Sequence, residues 1–238
     1  MDPLEERISR VNGGRILDVA TGTGEFLKWL GQSFESFSEG IGIDPAVDRI
    51  EAAAKEPDGR FSFEVMNAEQ MEFEDASFDT VAIRHSLHHL RNIEPVLDEM
   101  MRVLKPGGLM IVGEVIQDPA TVKPNSQRHL HHWWGRVDQT RGVPHFETFT
   151  RDEVRAMIRR LHLTDEDVLE FFEEASEEEV AEELQSMLKH SEEVVRKLRE
   201  AGDQPELAEE GERLVKLYRE QGYEDEKVLY VLGRKAVK

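Results

Sequence analysis

The chain contains no cysteine, which removes thiolate zinc sites and cysteine nucleophiles from consideration and fits a reducing compartment. No apolar run approaches the roughly 20 residues that span a bilayer, and the first residues, MDPLEERISR, lack the apolar segment of a secretory signal. The expectation is a cytoplasmic protein with no membrane association. Basic residues are scarce relative to acidic ones: 30 Lys and Arg face 50 Asp and Glu, a formal net charge of −20. That charge divides evenly about residue 150, so acid is denser in the shorter C-terminal part. Such a surface repels phosphate backbones and anionic lipid, and no nucleic-acid partner is expected.

What is present is an alternation of short apolar runs with helical periodicity, over a length of 238 residues that suits one large α/β domain. Strands are expected at 15–19, 40–43, 61–65, 80–84 and 109–114, with helices near 25–32, 47–55 and 95–104. This order implies a mostly parallel sheet with helices on both faces, and ligands at the carboxyl ends of its strands. Lys105-Pro106-Gly107-Gly108 stops the third helix. Residues 115–150, with Pro119, Pro124, Pro144 and the run HLHHWW, read as a partly helical excursion, followed by a helix capped by Thr150 and Glu153. Ser176 and Glu179 form a second capping signature that opens a helical hairpin over 176–221, before a last strand at 227–233.

The stretch ILDVATGTGEF, 16–26, is a strand that ends in Asp18 and breaks into a turn containing Gly22 and Gly24. Glycine there lets the main chain approach a ligand. A dinucleotide fingerprint needs a third small residue where Leu27 stands, so weight falls on Asp18. A buried carboxylate requires a donor or a positive partner, which an amino-acid-like ligand tail would supply. Asp44 likewise ends the second strand, in GIGIDPA.

Asp18, Gly22 and Gly24, Asp44, the segment NAEQMEFEDASFDTV and RVLKPGG occur in an order that resembles the class I S-adenosylmethionine-dependent methyltransferases over about residues 12–114. The SLHHL segment is similar to the small-molecule, ubiquinone- and menaquinone-biosynthesis type. The resemblance implies a Rossmann-like, mostly parallel seven-stranded sheet, S-adenosylmethionine as cofactor and a small organic acceptor. It implies a cofactor site of Asp18, Thr21, Gly22, Gly24, Asp44, Pro45, Asn67, Ala68 and Arg84; Asn67 stands where the family has an acid. On this expectation 1–238 is a single methyltransferase domain, with 115–150 on the substrate side and 176–221 an insertion. Only about 15 residues precede the first strand, so these two segments are expected to cover the acceptor pocket, the hairpin having solvated embellishment or a homodimer contact as its alternatives.

Methyl transfer from a sulfonium is an in-line displacement, and a general base is needed only where the acceptor must lose a proton. His85, His132 and His145 are the candidates for that role, with Glu114 also on the substrate side. His88 and His89 are expected to pack in the scaffold. HLHHWW is an alternative metal site, its imidazoles joined by Glu114 or Glu147, but its spacing is not a strong metal signature, since a helix would put His129 and Trp133 on one face merely to pack, and no metal ligand is assigned. Trp133, Trp134 and Phe146 are wall residues for an apolar acceptor or core residues. A noncatalytic cofactor-binding or regulatory protein and a nicotinamide-dependent dehydrogenase are the alternative readings.

Overall fold

A computed structural model describes residues 2–55, 59–117, 123, 126–173 and 176–237; Pro119 and Pro124 lie outside these. Contacts divide the chain into two compact units. Unit 1 holds residues 1–114, 151–171 and 228–238, and unit 2 holds 115–150 and 172–227.

Unit 1 is a sheet with flanking helices. Its strands are β1 (Asn12–Val19), β2 (Ser36–Asp44), β3 (Phe61–Val65), β4 (Phe78–Arg84), the first part of β5 (Leu104–Gln117), β7 (Thr164–Phe171) and β8 (Val228–Arg234), in the order β3-β2-β1-β4-β5-β8-β7. The pairs β1–β2, β1–β4, β2–β3 and β4–β5 are parallel, and β7–β8 is antiparallel. The central strands are apolar almost without interruption because both of their faces are covered. Ile16, Leu17, Val19, Val81, Ala82, Ile83, Met110, Ile111 and Val112 are all buried.

The helices of unit 1 are α1 (Pro3–Ile8), α2 (Glu25–Ser33), α3 (Val47–Ala53), α4 (Ile93–Val103) and α6 (Arg151–Arg159). On α4, Val96, Leu97, Met100 and Val103 are buried, the i, i+1, i+4, i+7 stripe of a helix laid on a sheet. The expected Lys105–Gly108 stop falls inside β5. That strand starts at Leu104 and bulges where its register against β4 slips between Phe78 and Thr80, with Gly107 at φ 77°. The acid-rich strand β7 was not foreseen.

Unit 2 contains α5 (Gln127–Thr140), the two-residue strand β6 (Phe149–Thr150), which pairs with Ile116 and Gln117, and the hairpin α7 (Glu177–Ala201) and α8 (Pro205–Gln221). Ser176 and Glu179 form the expected capping box, and α7 ends at Gly202 in the left-handed conformation that suits glycine. The hairpin has a core of its own. Leu130, Trp133 and Val137 of α5 pack with Met187, Val194 and Leu198 of α7 and Ala208 and Tyr218 of α8. The indole of Trp133 donates to the Leu207 carbonyl at 2.8 Å, so its one polar atom is satisfied.

Candidate cofactor cleft

Strand order reverses between β1 and β4, and their carboxyl ends diverge into α2 on one side and a short 3-10 turn, Leu87–His89, on the other. Ligands of doubly wound sheets bind at such a switch point. Both strands end in strained backbone. Ala20 has φ 56° and His85 φ 49°, left-handed conformations that side chains other than glycine adopt at a cost of about 1–2 kcal/mol. Between them lies a cleft of about 210 Å³ lined by Asp18, Ala20, Thr21, Gly22, Thr23, Glu25, Phe26, Arg49, Arg84, His85 and Ser86.

Asp18 is 1% exposed and accepts a 2.6 Å hydrogen bond from the Thr21 hydroxyl. Burial pushes its carboxyl up to about 7, against the opposing pull of Thr21 and Arg84. The Arg84 guanidinium lies over the Phe26 ring, 5.1 Å from its centre. The cleft thus presents a carboxylate that lacks solvation together with a cation. An ammonium and a carboxylate on one carbon, the tail of an amino acid, meet both requirements. Burial, with Arg84 and His88 nearby, holds the His85 imidazole well below its ordinary range, so it is neutral at pH 7.

The two glycines of the turn serve different ends. A Cβ on Gly22 (φ 56°) would meet only Arg49 Nη1, at 3.5 Å, so Gly22 supplies the turn and an open face to the cleft. A Cβ on Gly24 (φ 80°) would strike Phe63 at 2.4 Å, so glycine there also lets α2 start against the sheet. Asp44 is also buried, and its two oxygens accept from the Gly22 amide at 3.1 Å and the Ala46 amide at 2.9 Å. These bonds fix the carboxylate between the two turns while each oxygen keeps a second lone pair.

Pro45 follows Asp44 directly before α3. After β3, the Met66 amide donates to the Asp44 carbonyl at 3.2 Å and brings Asn67 and the buried Ala68 beside the end of β2. Asn67 Oδ1 accepts from the Glu69 amide at 3.0 Å, a local turn. Asp18, Thr21, Gly22, Arg84 and His85 therefore share the cleft, with Asp44 tied to its floor, and Asn67 and Ala68 stand at the next strand end. Arg49, Glu25 and Phe26 line it too and were missed. No sequence signal marks Arg49 beyond its place one turn into α3.

Glu114 is fully buried at the end of the unit 1 part of β5. It accepts from the Leu87 amide and pairs with His88 Nδ1, each at 2.8 Å. These bonds fix the turn after β4 and hold the buried His88 ring against the strand.

The other two histidine candidates belong to unit 2. His132 Nε2 accepts from the Thr148 amide at 3.2 Å and lies 3.1 Å from the Thr148 hydroxyl, while burial lowers its pKa to about 4. A ring nitrogen so engaged ties α5 to the following segment and is a poor base. His145 is buried, with Nδ1 2.8 Å from Asp138 Oδ2 and Nε2 3.1 Å from His131 Nε2.

The sheet order and the acid-lined glycine turn define an α/β protein with a nucleoside-type cofactor cleft. Residues 17–112 match the family described as Methyltransferase domain. The chain is 33% identical over 134 residues to a ubiquinone/menaquinone biosynthesis C-methyltransferase of Geotalea daltonii, covering 54% of this chain and 55% of that protein. It is 30% identical over 173 residues to the O-methyltransferase rstn1 of Aspergillus nomiae, covering 71% of each. Among solved structures, the [4+2]-cyclase SpnF shares the fold at a TM-score of 0.64 and 18% identity, over 99% of this chain and 80% of that one. The chain belongs to the class I S-adenosylmethionine-dependent methyltransferase family. It spans about half the length of the ubiquinone/menaquinone C-methyltransferases it matches. Among the described residues, no helix is long and apolar enough to cross a membrane.

Proposed function

We propose that this protein binds S-adenosylmethionine in the unit 1 cleft and methylates a small organic acceptor. The observation that carries the reading is the pairing of buried Asp18 with Arg84 at the β1–β4 switch point. Asp18 accepts from the amino group of the methionine portion and Arg84 faces its carboxylate. Asp44, held by two backbone amides, accepts the ribose hydroxyls, with Pro45 shaping the turn beside it. Asn67 and Ala68 flank the adenine, and Thr21 and Gly22 form the wall between. When bound, the cofactor supplies a methyl group on a sulfonium.

The work left to the chain is alignment and exclusion of water, for which rigid strand ends are suited. His85, neutral at the cleft edge, adds no second positive charge beside a cationic donor. A nicotinamide cofactor fits less well. The third position of its fingerprint is Leu27, which is fully buried in the core, and two acids face the turn. Relatives named as C- and O-methyltransferases both support a small-molecule acceptor. Incubation with methyl-labelled S-adenosylmethionine and a panel of hydroxylated aromatic, quinol and polyketide acceptors tests the reading. Labelled product from one class supports it. Cofactor binding without transfer to any member would favour the noncatalytic alternative.

A further inference from the structure

Helix α5 carries His131, Gly135 and Asp138 at positions i, i+4 and i+7, which share one face. The segment containing His145 lies against that face, and glycine at 135 allows it: a Cβ there would sit 3.1 Å from the His145 carbonyl oxygen and 3.4 Å from its ring. The approach brings three side chains into line. Asp138 Oδ2 stands 2.8 Å from His145 Nδ1, and His145 Nε2 stands 3.1 Å from His131 Nε2. A proton on Nδ1, donated to the carboxylate, makes Nε2 the lone-pair nitrogen of His145.

The ring geometry then separates two ways for the nitrogens to meet. A linear N–H···N bond at this separation would hold the ring centres roughly 5.4 Å apart, one ring radius beyond each nitrogen. Two imidazoles whose lone pairs converge on one ion at about 2.0–2.1 Å would subtend about 100° there and hold their centres about 4.8 Å apart. The observed centres are 4.6 Å apart, with the ring planes inclined at 68°. The separation is nearer to that of the convergent arrangement than to that of a linear N–H···N bond.

We propose that His131 and His145 form a binding site for a divalent transition-metal ion such as Zn²⁺, with Asp138 orienting His145 through its Nδ1–H. Imidazole ligands and the absence of cysteine suit zinc, nickel or copper over calcium or magnesium. The carboxylate–histidine arrangement is the usual support of a metal-bound imidazole. His131, Asp138 and His145 all belong to unit 2, and the proposal stands whether or not the cofactor reading does.

Calorimetric titration of ZnCl₂ into the full chain, without S-adenosylmethionine, tests it. One saturable equivalent is expected in the wild type and in His162→Gln, which removes an exposed imidazole in unit 1. His131→Gln and His145→Gln should each abolish that equivalent, and Asp138→Asn should weaken it by about 10- to 100-fold. Circular dichroism of each variant establishes folding, and Asp138→Asn keeps the test open if a histidine variant does not fold. Absence of saturable zinc binding in the wild type, or binding unchanged in folded His131→Gln and His145→Gln, would overturn the proposal.

Discussion

Replacing Asp18 by asparagine should strengthen the free protein while weakening its hold on cofactor. Burial raises the Asp18 carboxyl from 3.8 to about 7, so the fold prefers the neutral form. An acid whose folded pKa exceeds its unfolded value loses stability as pH rises from the unfolded value to the folded one. For Asp18 the window runs from about pH 4 to about pH 7, and three pK units correspond to an upper bound of about 4 kcal/mol. Asparagine has nearly the same shape, can still accept from the Thr21 hydroxyl and does not ionise. Urea denaturation of the ligand-free proteins should therefore show little difference near pH 4 and an advantage of up to about 4 kcal/mol for Asp18→Asn at pH 8. Titrations other than that of Asp18 are common to both proteins and cancel in the difference.

Cofactor binding should move the other way, because loss of a hydrogen bond to a charged group costs about 1.5–3 kcal/mol, or roughly 10- to 100-fold in Kd. In the wild type, affinity should rise with pH up to about 7 and then level, as the carboxyl must lose its proton to accept the ammonium. Asp18→Asn should lack that rise. An asparagine variant less stable than wild type at pH 8, or one binding cofactor as tightly, would refute the assignment of Asp18 as a strained ammonium acceptor.

Gly24→Ala should destabilise unit 1 by about 2–4 kcal/mol, since it combines a left-handed backbone with a Cβ 2.4 Å from Phe63; chemical denaturation measures it, and a change below 1 kcal/mol would be inconsistent. In unit 2, Gly211→Ala drives a Cβ to 2.2 Å from the Trp133 ring and should cost about 1–3 kcal/mol, visible as a shift in Trp fluorescence on urea unfolding. His132, whose folded pKa of about 4 lies below its ordinary 6.5, adds stability that is complete above pH 6.5 and is lost as pH falls toward 4. His132→Gln should flatten that part of the acid stability profile; an unchanged profile would contradict the burial reading.

The parallel half of the sheet was legible because covered strands are nearly continuous apolar runs. β3 has the expected bounds, and α2, α3 and α4 shift by one or two residues at their ends. β2 begins four residues early because its polar start, SFSE, is held by backbone pairing with β1 and carries no burial pattern. β7 escaped notice for a related reason. TDEDVLEF is an edge strand rich in acid, and its identity depends on β8, whose apolar VLYVLG was read. At the site, Asp18 and Asp44 were visible as acids ending apolar runs. The strained φ of Ala20 and His85, the cleft face of Arg49 and the division of labour between Gly22 and Gly24 depend on tertiary approach. The meeting of His131 and His145 also escaped the sequence, since it depends on the room left at Gly135 and not on helical spacing.

The central claim is that the Asp18–Arg84 cleft binds an amino-acid-tailed nucleoside cofactor, and calorimetric titration at pH 8 tests it most directly. S-adenosylmethionine should bind the wild type at one site, bind Asp18→Asn and Arg84→Met at least about 10-fold more weakly, and NAD should give no saturable heat. Binding of NAD, or S-adenosylmethionine binding undiminished in both variants, would contradict the account.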